Sequence, residues 1–294
     1  MKTVSSSEVA WQEYPGQRSI KIMYQGLLRG EAGTPENYEL SLNHFEQEGG
    51  AFSPRHRHNF EQFRLAFDLP LNYAPDQDIP PGQIGYFPEG AYYGPQTILN
   101  DANMLIVQFG GPSGSGYLNW DALMRATNEL KEKGTFQKGY YTFTDEAGKR
   151  FNKDAYEAVW EHANGRDIKY PAPRYREPII IDPEAFEWLP VSQSPGVEIK
   201  LFGVFGERRA AASQIKLASG SNFDLTTDGG PLLAYVLSGT LRADGRDLGV
   251  GSAVEALFGE RVPVSAPEDT LLVTFAMSDF CSMSAKETSM AKSA

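Results

Sequence analysis

Two histidines stand at alternate positions, His56-Arg57-His58. In an extended strand alternate side chains share a face, so both imidazoles can meet one cation and bind it through ring nitrogen. The other reading of the pair is two surface histidines beside arginines. Gln62 and Arg64 keep the same parity along the run that follows. A guanidinium on an inward face is costly without an anion. Arg64 is therefore expected to hold a substrate carboxylate or to pair with an internal acid. Phe63, Leu65 and Phe67 fall on the opposite face. Such an apolar row needs a cover, from another part of the chain or from a second subunit. His44 and His162 read as satisfied or solvent-facing histidines.

The elements that must position these residues are short strands. Ile20–Leu28, Tyr38–Phe45, Phe60–Phe67, Gln83–Phe87 and Met104–Phe109 are apolar or aromatic runs broken by Gly, Pro and Asn. That rhythm predicts a sandwich or barrel. Residues 117–177 differ. Asn119 can cap a helix running to Lys133 with Gly134 as its stop, and a second helix starts near Asn152 and ends at Asn164-Gly165. Tyr170–Tyr175 carries two prolines and must be extended. Short strands return over 186–280. Pro15-Gly16 before Ile20 matches Pro195-Gly196 before Ile199, Gly50 matches Gly220, and Gly82 matches Gly251. Three matches in order imply an internal duplication. The expected organisation is mainly all-β: a barrel over 1–116, a helical connector over 117–177, a second barrel over 178–281 and a flexible tail over 282–294.

The surroundings of the histidine pair resemble the two motifs of the cupin superfamily, G-x5-H-x-H-x3-4-E-x6-G and G-x5-P-x-G-x2-H-x3-N. Gly50, His56 and His58 match the first; Gly82, Pro88 and Gly90 match the second at its spacing. The resemblance covers about residues 37–110 and extends to 186–280 through the repeat. It implies two cupin-type β-barrels of jelly-roll type, a bicupin similar to quercetin-dioxygenase-like two-domain members. It also implies one divalent metal ion per chain, Fe(II) first, with Mn, Ni, Cu or Zn as alternatives. The family's glutamate ligand falls on Gln62 and its last histidine on Tyr93; Leu69 and Thr97 replace its closing glycine and asparagine. The implied metal ligands are thus His56, His58, Gln62 and Tyr93, with Tyr93 binding as phenolate or acting as acid/base. Arg64, Tyr86, Tyr92 and Gln96 are the expected pocket and substrate residues, Arg64 and Tyr93 the expected catalytic ones. In the second half the corresponding positions are Thr226, Asp228, Leu232 and Val262, so no metal is expected there.

Composition excludes other classes. Of 294 residues 38 are acidic and 27 basic, a formal net charge of -11. Such a surface repels nucleic-acid phosphates and anionic lipid. A single cysteine, Cys281, forbids an intrachain disulfide, which fits a reducing compartment. With no apolar leader and no long apolar run, the expected location is the cytoplasm. The Gly-rich stretch 110–116 has no helix directly behind it and reads as a flexible exit, not a phosphate nest. The expected function is a non-haem iron dioxygenase acting on a small aromatic or diketone-like molecule, in a chain that pairs as a homodimer. The alternatives are a non-oxidative cupin enzyme (isomerase, lyase, cyclase or decarboxylase) using Tyr93 as acid/base, and a non-catalytic bicupin binding protein.

Overall fold

The computed structural model describes residues 1–14, 21–31, 37–46, 51–98, 100–111, 113, 116–227 and 229–277. Pro15, Gly16, Gly50, Asp228, Cys281 and the 282–294 tail lie outside them.

Strand Phe60–Ala66 shows why the halves form. Its even positions, Gln62 and Arg64, turn toward the interior of the N-terminal half. Phe63 and Leu65 turn the other way, into a core shared with Tyr86, Phe205, Leu233 and Phe275. This cover for the outward apolar row comes from the second half of the same chain. The Phe63 ring lies 5.3 Å from that of Phe275 and 5.7 Å from that of Phe205.

Each half is built on a seven-stranded antiparallel sheet. In the first, Ile84–Phe87, Phe60–Ala66, Ala102–Gly110, Tyr38–Glu46 and Lys21–Arg29 follow one another. In the second the same order is taken by Ala253–Ala256, Leu232–Ser238, Thr270–Met277, Ala210–Leu217 and Val197–Phe205. The identical order supports the duplication read from the glycines. Smaller sheets of two to four strands accompany the large ones, and among the described residues no ladder closes either half into a continuous barrel.

The edges are exchanged. Lys2–Val4 pairs with Ala253–Ala256 of the second half, and Ile179–Ile181 pairs with Ile84–Phe87 of the first. The expected boundaries at 116 and 178 are therefore crossed by one strand in each direction. The Lys2 ammonium lies 3.5 Å from the buried Glu255 carboxylate and the N-terminal amine 2.6 Å from Glu260.

The connector is not purely helical, which corrects the expectation for 117–177. Helices Trp120–Lys131 and Ala155–Asn164 flank a three-stranded meander, Gly134–Gln137, Tyr140–Thr144 and Arg150–Asp154. The turn at Lys138-Gly139 has φ of 51° and 81°, the left-handed pair that a tight hairpin needs. Gly134 opens a strand instead of stopping the helix; a Cβ there would lie 2.4 Å from the Thr142 carbonyl oxygen. Asn119 does cap the first helix, accepting from Ala122 N–H at 2.9 Å. Asn119→Ala is expected to lower stability by about 1 kcal/mol, read from the denaturant midpoint at constant slope. Asp154 caps the second helix and Gly165 ends it in the left-handed region.

The connector is held on the first half by a buried polar knot. Glu39 accepts from Tyr24 and Tyr117 hydroxyls and from Arg29 Nε at 2.8 Å, and Trp120 stacks on Tyr24 at 3.9 Å. Burial, the largest cause, pushes the Glu39 carboxyl up, against the pull of these donors. No helix among the described residues is long and apolar enough to cross a membrane.

Candidate functional site

The segment carrying the histidines is zipped to the turn of the second motif. His56 and Tyr93 exchange backbone hydrogen bonds at 2.9 and 3.0 Å, and Gly90 N–H donates to the His58 carbonyl at 2.8 Å. His56 and His58 thus sit in an extended lead-in to the strand instead of in a long strand, yet keep its parity. Gly90 has φ of 77°, and a Cβ on it would lie 2.5 Å from the Pro171 carbonyl oxygen. Only glycine suits that turn, which is the physical reason for the residue the motif calls for.

Four predicted residues converge. His58 Nδ1 lies 2.5 Å from Gln62 Nε2 and 3.1 Å from the Tyr93 hydroxyl. The His56 ring centre is 5.0 Å from that of His58 and 4.3 Å from that of Tyr93. All four side chains are buried. Arg64 binds the group together: its Nε donates to Gln62 Oε1 at 2.8 Å and its Nη2 to the Tyr93 hydroxyl at 2.7 Å. Its guanidinium also lies over the Phe87 ring at 4.1 Å. An amide and a phenol thus take hydrogen bonds for which a carboxylate partner was the expectation.

The hydrogen bonds have a direction. Arginine only donates, so Gln62 turns its oxygen to Arg64 and its NH₂ to His58. His58 Nδ1 is then the acceptor for both Gln62 and Tyr93. His56 Nδ1 faces the Pro54 carbonyl at 2.7 Å and carries its hydrogen there, which leaves Nε2 as the basic nitrogen.

Two members of the group, His58 and Arg64, line a cavity of about 200 Å³; His56, Gln62 and Tyr93 lie behind them. This is below the roughly 300–1,000 Å³ that accept drug-sized ligands, so a small molecule fits. Phe45, Leu71, Ile98, Met104 and Ile106 supply apolar walls; His58, Arg64 and Gln108 are polar, as are Asn43, Asn72, Asp78, Gln96, Thr97 and Asn100. The connector roofs it with Tyr117, Leu118, Leu123 and Tyr156. The Tyr156 ring lies 5.0 Å from that of His58, and its hydroxyl donates to Asn59 Oδ1 at 3.1 Å.

Of the expected pocket residues, Gln96 and Arg64 line the cavity. Tyr86 does not: it pairs opposite Phe63, faces the other half of the chain and donates to Glu61 at 2.8 Å. Tyr92 does not either. It is 42% exposed and lies between the guanidinium groups of Arg55 and Arg57 at 4.3 and 4.8 Å, because its neighbour Tyr93 takes the inward position. His44 bonds Asn103 across the sheet at 2.9 Å and His162 meets Glu129 at 2.6 Å, both away from the cluster. Tyr156 and Gln108 are site residues that sequence reasoning missed. Gln108 had a signal, an amide inside an apolar strand directly opposite Gln62. Tyr156 had none.

The donor set suits a divalent ion in type, while in this structure Arg64 holds Gln62 Oε1 and the Tyr93 oxygen, and His58 Nδ1 accepts from both side chains. Two imidazoles, an amide and a phenol lie side by side, and the Pro54 carbonyl that holds His56 Nδ1–H is the kind of outer partner that orients a ligating imidazole. His58 would bind through Nδ1, Gln62 through Oε1 and Tyr93 through its oxygen. In the second half the equivalent space is filled by Leu225, Leu232, Val254 and Val262. Among the described residues no three of His, Cys, Asp and Glu gather there or elsewhere around an ion-sized space.

No protein-family model matches this chain, and no curated protein matches it. Solved structures do. A candidate dioxygenase from Nostoc punctiforme superposes with TM-score 0.60 at 8% identity, over 94% of this chain and 82% of the other. A variant of the oxalate decarboxylase of Bacillus subtilis gives 0.54 at 13% identity, over 95% and 78%. A protein of Geobacillus kaustophilus gives 0.52 at 12% identity, over 95% and 96%. At these identities the likeness is one of fold. The fold is that of a mainly β protein of cupin type.

Proposed function

We propose that the chain is a cupin-type metal-dependent enzyme whose one working site lies in the N-terminal half. The ligands are His56, His58, Gln62 and Tyr93, and the substrate is a small, largely apolar molecule. The observation that carries this is the convergence of His58 Nδ1, the Gln62 amide and the Tyr93 hydroxyl beside His56, behind a small cavity that His58 and Arg64 line. Our specific reading is a non-haem iron dioxygenase acting on a small aromatic or diketone-like molecule. The bound ion would supply Lewis acidity and, as Fe(II), the electrons for oxygen chemistry.

The chain's own residues do the rest. The aromatic and aliphatic walls hold a planar apolar body and exclude water. Arg64 brings a fixed positive charge to the polar end, where an enolate or carboxylate oxygen is held. Tyr93 accepts from Arg64 and donates to His58 Nδ1, a proton path that is open only where that nitrogen does not hold the ion. Oxygen uptake with a panel of small aromatic and 1,3-diketone compounds tests the reading. Turnover without oxygen consumption would overturn the dioxygenase assignment.

That same proton path favours a second reading, a non-oxidative isomerase, lyase, cyclase or decarboxylase with Tyr93 as acid/base. Tyr93→Phe separates the two. If Tyr93 is the acid/base, kcat falls roughly 10²–10⁴-fold with metal content unchanged. If Tyr93 is a ligand, metal content falls as well.

A further inference from the structure

A second cavity, of about 270 Å³, lies on the far side of the Phe60–Ala66 strand from the histidines. Glu61, Glu89 and Glu207 line it, from the strand, from the turn after Ile84–Phe87 and from a turn of the C-terminal half; Ser113 and Arg174 line it too, and Pro88, Pro171 and Ala172 give it apolar walls. Glu61 is only 2% exposed. Its Oε1 accepts from the Tyr86 hydroxyl at 2.8 Å, while its Oε2 is buried with no hydrogen-bond partner. The other two acids are oriented: Ser113 donates to Glu89 through both N–H and hydroxyl, and Arg174 donates to Glu207 at 2.7 Å.

We propose that this cavity binds a small organic ammonium ion, whose N–H groups reach Glu61 Oε2 and the carboxylates of Glu89 and Glu207. A buried, unpartnered carboxylate oxygen is costly until a donor meets it. The three acids surround a cavity yet do not come close enough together to coordinate one metal ion, as no such group exists among the described residues. A cavity of this volume admits a larger cation with several donors, and the proline walls suit its carbon chain. Burial first, then the neighbouring Glu89 and Glu207, pushes the Glu61 carboxyl up to about 8, against the pull of the Tyr86 hydrogen bond and of Arg208. A bound cation would reverse that cost.

Titration calorimetry of the full chain with 1,4-diaminobutane and with methylammonium tests this. One saturable site per chain is expected, with affinity reduced at least about tenfold in Glu61→Gln and separately in Glu89→Gln. Thermal unfolding of each variant checks that it is folded. The absence of saturable binding by either amine to the wild type would overturn the proposal. So would equal binding by the Glu61→Gln chain, or binding of Mg²⁺ or K⁺ in place of the amines. The site is separate from the histidine cluster, so its failure leaves the metal reading untouched.

Discussion

His56→Ala and His58→Ala are each expected to strip the metal, weakening its affinity by more than about 100-fold. Loss of an outer-shell partner alone already costs about 10–100-fold. The two imidazoles are the strongest neutral donors in the set, and Gln62 and Tyr93 are already tied to Arg64. As ligands both must already share or give up their hydrogen bonds to Arg64, so neither can make up for a lost imidazole. Thr226→Ala, at the equivalent place in the second half, is expected to leave metal content unchanged, because that half is packed with aliphatic side chains. The check is metal per chain after dialysis, with circular dichroism confirming the fold. Full retention in both histidine variants would end the assignment of these ligands.

Phe63→Ala is expected to destabilise the protein by about 3–5 kcal/mol, the cost of deleting a fully buried aromatic. Phe63 is 0% exposed and its ring meets those of Tyr86, Phe109, Phe205 and Phe275. Those partners come from both halves, so the loss falls on the core that joins them. Leu225→Ala, inside the second half, is expected to cost about 2–5 kcal/mol without loosening that junction. Limited proteolysis tells them apart: Phe63→Ala should expose cleavage between the halves before either half is degraded. Resistance equal to the wild type would contradict the role given to the shared core.

Much of the site was legible because one parity rule carries it. His56, His58, Gln62 and Arg64 all stand at even positions, and the extended chain keeps them on one face. Phe63 and Leu65 were legible on the other face for the same reason. Parity failed at Tyr86 and Tyr92, which are aromatic and close to the second motif but alternate with Phe87 and Tyr93. An aromatic residue looks the same in a pocket, in a core or stacked on surface arginines. The duplication was legible in its glycines, because turns with positive φ, as at Gly82 and Gly251, leave little choice of residue. The exchange of edge strands was not. Lys2–Val4 and Ile179–Ile181 are three residues each, too short to carry a period, and their partners lie far away in sequence. The connector meander was hidden between two good helix signals, although Tyr140–Thr144 has the aromatic and threonine content of a strand.

The most direct test of the central claim is elemental analysis of the wild-type chain, purified without a histidine tag and loaded anaerobically with Fe(II). The account predicts about one ion per chain, bound through imidazole and oxygen donors. No stoichiometric metal under those conditions would contradict it.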